Sequence, residues 1–401
     1  MKKISILNNP IQEYVWGSKT EIQHLIGQPE STDKPMAELW MGAHPKAPSQ
    51  VLIDGDWQAL DKAIEEDPEP ILGKNIARRF SNQLPFLFKI LAADRPLSVQ
   101  VHPNLEQAKN GFSRENKLGT PINAPNRNYR DANHKPEILC ALKTFQGLHG
   151  FRKMEEILEL TGKLSISTLS DELAQLKKKP DNKGLKTFFS ALMTMDKTRQ
   201  KEVARETLIS AEKFANKEPA FHWVVELNRE YPMDIGILSP VILNLVQLDP
   251  GEAIYLPAGE LHAYLHGLGI ELMASSDNVL RGGLTPKHID VFELLNIVEF
   301  KTGAVSKVKP ESRNRCQTVY ETPAKEFQLS MISVNEGNPF ISLPDRSVEI
   351  LICLEGKADV EDLGCGEIMS VARGKSFIVP SEIPRYRIDG NAMLYMASVP
   401  F

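Results

Sequence analysis

One twelve-residue pattern occurs twice in this 401-residue chain. At 251–262, Gly251 is followed by five residues, then Pro257, and the segment ends in His262. At 374–385, Gly374, Pro380 and Arg385 hold the same places, 123 positions later. Glycine permits the positive φ of a tight turn, five residues make one short strand, and proline pre-sets the next turn. Such a unit belongs at the mouth of an antiparallel β-structure, so two copies predict two β-rich units on one plan. The copies part at their last position. An imidazole can bind a metal ion and a guanidinium cannot, and no histidine follows His288. The second copy is expected to be metal-free, structural or regulatory.

The rest of the chain changes period twice. Up to about residue 150, frequent prolines separate short apolar runs such as Phe86-Leu87-Phe88 and Ile90-Leu91. This predicts an all-β unit with long irregular connections. Leu169, Leu173 and Leu176 then repeat at helical spacing, as do Leu185, Phe188 or Phe189, and Leu192, and again Val203, Thr207, Leu208 and Ala211. These are amphipathic helices, the first with Ser170 as its cap. Strand-like text returns at Val241–Val246, and residues 286–295 read as one short helix. The fold class is mainly β with an α-helical insertion. The expected organisation is a discontinuous β domain (1–150 and 231–300), a helical insertion (151–230) and a C-terminal metal-free domain (301–401).

Charge narrows the partners. Lys plus Arg is 47 and Asp plus Glu is 52, a formal charge of −5, which disfavours nucleic acid and anionic membranes as general ligands. No apolar run reaches transmembrane length, and the start is too polar for a signal peptide, so a cytoplasmic location is expected. Cys140, Cys316, Cys353 and Cys365 form no CxxC spacing and read as structural thiols.

Three segments hold residues suited to metal chemistry. In Leu97–Pro103, alternation puts Ser98, Gln100 and His102 on one strand face. In Asn133–Leu139, Pro136 favours extended backbone, so Lys135 and Glu137 project to the same side. A lysine beside a carboxylate and a cation can serve as general acid or base. His262 ends the first turn unit, and His266 reads as a surface residue. Gln100, His102, Glu137 and His262 make a mixed N/O set suited to a catalytic divalent ion; zinc is the first choice, and iron or manganese would accept the same ligands. Arg281, before Gly282 and Gly283, can meet a phosphate or an oxyanion.

The turn pattern resembles the second conserved motif of the cupin jelly roll. A wider set of segments resembles the type I phosphomannose isomerase family: Tyr14-x-Trp16-Gly17, Ala37–Pro45, Leu97–Pro103, Asn133–Glu137, Tyr255–Tyr264 and Ser276–Thr285. The resemblance spans residues 14–285 in the family's order. It implies two cupin-type jelly-roll barrels plus a helical domain, one zinc ion per chain on Gln100, His102, Glu137 and His262, and interconversion of mannose 6-phosphate and fructose 6-phosphate. It places the catalytic arginine at Arg281, and the acid/base and ring-opening groups at His134, Lys135, Glu271 and Asp277. The expected partner is a small sugar phosphate, held by Ser98, Lys135 and Arg281, on a monomer or weak homo-oligomer. Two other readings compete: an iron-dependent cupin dioxygenase and a non-catalytic sugar-phosphate sensor.

Overall fold

The computed structural model describes residues 1–27 and 33–400. Both repeated glycines take the left-handed conformation the pattern requires, with φ of 84° at Gly251 and 82° at Gly374. The strands that follow are Ala253–Leu256 and Ser376–Val379. Each lies antiparallel to a longer strand, Glu137–Ala141 in the first copy and Glu349–Asp362 in the second.

Two antiparallel sheets carry the copies. The first runs from Leu243–Leu248 through Phe145–Phe151, His262–Ala274, Phe86–Ala93 and Glu38–Gly42 to Ile11–Gln12, with Val99–Val101, Glu137–Ala141, Ala253–Leu256 and Leu280–Gly283 paired beside that path. The second centres on Glu349–Asp362 and Tyr386–Ser398. Neither path returns to its start, so the sheets are open where closed barrels were expected. The N-terminal segment accounts for one open edge. Ser5–Asn8 pairs with Ser376–Val379, and the hairpin of Gln50–Ile53 and Asp56–Ala59 extends the sheet beyond it. Residues from the two ends of the chain thus share one sheet.

The helical insertion enters and leaves at one place. Phe145–Phe151 and Leu243–Leu248 pair antiparallel with Phe151 opposite Leu243, and the chain between them forms helices at Met154–Leu164, Ser170–Lys178, Asn182–Thr194, Lys197–Glu212 and Pro219–Glu230. The apolar spacing marks the faces correctly: Leu169, Leu173, Leu176, Leu185, Phe188, Leu192, Val203 and Ala211 are buried together. Ser170 is not the cap. A 3-10 turn at Ser167–Leu169 leads into the helix and leaves Ser170 inside it. Asp181 and Asp196 are true caps, accepting hydrogen bonds from backbone N–H groups of the helices that follow.

The N-terminal part is not all-β. It contains helices at Leu60–Glu66, Pro68–Leu72, Lys74–Arg79 and Leu105–Lys117. The helix expected from residue 286 begins at Val291, where Asp290 accepts from the N–H of Glu293. Cys140, Cys316 and Cys353 are buried, Cys365 is exposed, and all four are free thiols. Among the described residues no helix is long and apolar enough to cross a membrane.

Candidate metal centre and substrate site

Register pairing decides which side chains meet, because directly paired residues share a face. Gln100 pairs with both His262 and Arg281, which sets those three in one row. In the adjoining part of the sheet, Trp40 pairs with Lys89 and Lys89 with Glu271, while Glu137 pairs with Met273 two positions along the same strand. Period-2 alternation then brings Glu38, Trp40, Lys89, Glu271 and Glu137 to one face.

His102, Glu137 and His262 converge, each buried, with ligand-capable atoms within 4.8 Å of one another. The Nε2 atoms of His102 and His262 lie 3.5 and 3.4 Å from Oε2 of Glu137. Each imidazole is oriented from behind: His102 Nδ1 donates to the main-chain oxygen of Asn278 at 2.7 Å, and His262 Nδ1 to that of Glu260 at 3.1 Å. Backbone oxygens only accept, so both Nδ1 atoms carry a proton and both Nε2 atoms face inward. Burial, reinforced by Lys135, lowers the pKa of His102 to about 4, so the ring is neutral at physiological pH. Burial alone would raise the pKa of Glu137, yet Lys135 and the two imidazoles hold it well below the carboxylate range. His102 Nε2 is a buried polar atom without a hydrogen-bond partner. Two inward-facing imidazole nitrogens, one of them orphaned, and an ionised carboxylate fit a divalent ion of zinc's chemistry.

The second oxygen of Glu137 is engaged from the other side. Lys135 Nζ sits 2.8 Å from Oε1, as the alternation around Pro136 requires. Asp277 reaches Lys46 at 2.8 Å and His44 at 3.6 Å. Burial would raise its pKa, but the Lys46 bond and its cationic surroundings hold it below the usual value. Glu271 joins a buried cluster: Lys89 donates to it at 2.7 Å and Tyr264 at 2.8 Å, and Glu38 lies 3.7 Å from Lys89. Burial opposes the charge on Lys89, but the two carboxylates outweigh it and raise its pKa.

Arg281 lies half-buried near Arg130 and the exposed Lys287. Burial and then like-charge repulsion lower the pKa of Arg281, and the same causes act on Lys287. Among the described residues none of the three has a carboxylate partner. Arg130 also lines an open cleft of about 620 Å³, together with His44, Asp131 and Asp277. Ser98 is half-buried at the head of the Gln100 strand. His134 faces elsewhere: its Nε2 meets Glu326 of the C-terminal part at 2.9 Å. His266 is exposed, as expected.

Comparison with known proteins decides the family. Residues 4–154 match the phosphomannose isomerase type I catalytic domain, and residues 163–243 match that family's helical insertion domain. Mannose-6-phosphate isomerase of Escherichia coli (strain K12) is 39% identical over 380 residues, covering 94% of this chain and 95% of its own length. The chain belongs to the type I phosphomannose isomerase family. The human mannose-6-phosphate isomerase is 35% identical over 87% of each chain. A zinc-bound crystal structure of mannose 6-phosphate isomerase superposes with a TM-score of 0.91 at 34% identity, covering 99% of this chain and 100% of that one.

Several residues of this phosphomannose isomerase site escape sequence reasoning. Lys89 reaches it only through pairing between distant strands, and Tyr264 bonds Glu271 seven residues further along its own strand. Arg130 and Lys287 sit in loops with no periodicity. Glu38, Trp40 and His44 lie inside the family-like segment Ala37–Pro45, but that segment alone gave none of them a role.

Proposed function

We propose that this chain is a zinc-dependent aldose–ketose isomerase interconverting mannose 6-phosphate and fructose 6-phosphate. The observation that carries the reading is the joint use of Glu137. One carboxylate oxygen faces the two inward imidazole nitrogens, and the other holds Lys135 at 2.8 Å. A metal position and a proton carrier thus share one side chain. His102, Glu137, His262 and Gln100 would hold the ion. When bound, zinc supplies Lewis acidity toward sugar oxygens.

The chain's own residues do the rest. The cation group of Arg281, Arg130 and Lys287 receives the phosphate dianion, which relieves their mutual repulsion. Asp277, ionised between Lys46 and His44, is assigned the anomeric hydroxyl proton as the ring opens and the ring oxygen is protonated. Isomerisation then moves a proton from C2 to C1 through an enediol. Lys135 is assigned the proton exchange at the carbonyl oxygen. Glu271, fixed by Lys89 and Tyr264, presents a carboxylate to the same face. Ser98 stands beside Gln100 and is assigned a substrate contact. His134 is kept as a ring-opening candidate on family resemblance alone. We read the two open sheets as opened relatives of the cupin jelly roll, with the helices as an insertion.

The test is a coupled assay for fructose 6-phosphate formed from mannose 6-phosphate, before and after chelation. Activity should vanish with chelation and return with zinc. Folded, fully metallated protein that gives no product would end the isomerase reading. An iron requirement with oxygen uptake would favour the dioxygenase.

A further inference from the structure

Two segments without regular secondary structure, 130–136 and 275–279, flank the site and must be held by side chains. Most of that work converges on Asn278, which is fully buried. Its Oδ1 accepts from the backbone N–H groups of Arg130 at 2.7 Å and Asp131 at 3.3 Å. Its Nδ2 donates to the main-chain oxygens of Asp131 and Asn133, both at 2.9 Å, and to Oδ1 of Asp131 at 3.2 Å. Its own main-chain oxygen takes the Nδ1 proton of His102 at 2.7 Å. The amide's two donors and its acceptor oxygen are all used. Asp131 closes the frame, accepting from the Asp277 N–H at 2.7 Å and the Ser276 hydroxyl at 2.8 Å.

We propose that Asn278 is a positioning residue that fixes the metal ligand His102 and the phosphate-facing Arg130 in one frame, and so sets the spacing between the metal end and the phosphate end of the substrate. The inference rests on the site reading given above. Geometry makes the residue hard to replace. Alanine strips partners from two backbone N–H groups and two carbonyls. Aspartate keeps the acceptors but turns an anion toward Asp131. The loop that Asn278 holds leads, within a few residues, to Lys135 and Glu137, so loss of the frame should reach both ends of the site.

The experiment compares Asn278→Ala, Arg130→Ala and the double variant by steady-state kinetics and by the rate of zinc loss to a chromogenic chelator. Asn278→Ala should raise KM for mannose 6-phosphate about tenfold or more and speed zinc loss by about 10- to 100-fold, as outer partners of metal ligands do. Arg130→Ala should raise KM and leave zinc loss unchanged. If Asn278 acts through Arg130, the double variant should have a KM no higher than Asn278→Ala alone. Effects that multiply, or unchanged zinc loss in Asn278→Ala, would overturn the proposal. Should Asn278→Ala not fold, nitrogen-15 shifts of the His102 ring in zinc-free wild-type protein decide. A protonated Nδ1 supports the link to Asn278, and a protonated Nε2 with bare Nδ1 overturns it. If the wild type does not isomerise mannose 6-phosphate at all, the proposed function fails, while the zinc-loss and tautomer results still judge Asn278.

Discussion

Glu137 and Glu349 are the same position in the two repeated units. Each pairs with the fifth residue after its turn glycine, Leu256 in the first copy and Val379 in the second. Each is buried. What neutralises them differs. Around Glu137, Lys135 and two inward-facing imidazoles leave coordination positions for an ion. Around Glu349, the cation is Arg346, 3.3 Å away and packed over the Tyr386 ring. The two terminal nitrogens of Arg346 also donate to the main-chain oxygens of Ser347, Val379, Pro380 and Ile383, while its buried Nε has no partner. One frame therefore poses one problem twice, a buried carboxylate that needs a cation. The first copy meets it with groups that can yield to a metal, and the second with a guanidinium whose two terminal nitrogens are already bonded to main-chain oxygens. The carboxylates respond in opposite directions. Glu137 is held well below its ordinary pKa, while burial raises that of Glu349 beyond what Arg346 and Tyr386 offset.

The largest effect that would break this comparison is on stability. Arg346→Met strands Glu349 in the interior and should cost about 3–5 kcal/mol, measured by urea unfolding. Arg346→Met with Glu349→Gln should recover much of that loss, because the pair and not the position is at stake. A double variant as unstable as the single one would deny that Arg346 stands in for the ion.

Next in size is a kinetic contrast between arginines. Arg281→Ala should raise KM for mannose 6-phosphate about 10- to 100-fold, the weight of charge-assisted hydrogen bonds worth about 1.5–3 kcal/mol. Arg385→Ala should leave KM within about twofold, since Arg385 takes the place of His262 in the repeat but lies exposed. Equal effects would erase the division of labour between the copies.

The smallest effect sharpens the electrostatics. Glu349 has a raised folded-state pKa, so the folded state binds its proton more tightly than the unfolded chain does. Its contribution to stability is full below the unfolded carboxylate value and is lost as pH rises through the raised one. Glu349→Gln should flatten that fall in unfolding free energy. An unchanged slope would place the pH dependence elsewhere.

Much of this was legible in the sequence, and the gaps have physical causes. The insertion helices show because Leu173, Leu176, Leu185 and Leu192 repeat at helical spacing and are buried. The helix Leu105–Lys117 does not, because its buried residues are Ala108, Gly111 and Glu115, which make no apolar stripe. Its real signal is the capping box of Asn104 and Gln107, each side chain bonding the other's backbone N–H. Pro68 and Pro70 read as loop, although proline is tolerated in a helix's first turn. The metal residues are visible because strand alternation and the turn repeat are local. Glu349 escaped notice because the helical insertion lies between Glu137 and Gly251, so the carboxylate's distance from the turn differs between copies. Lys89, Arg130 and Asn278 depend on contacts between segments far apart in sequence, which spacing does not encode.

The central claim is that the frame occurs twice and holds an ion once. The direct test is zinc per chain by elemental analysis after exhaustive dialysis, for wild type, His262→Ala and Glu349→Gln, each shown to be folded. The account predicts one zinc in the wild type and in Glu349→Gln, and none in His262→Ala. A second zinc that disappears with Glu349→Gln, or full zinc retention in His262→Ala, would contradict it.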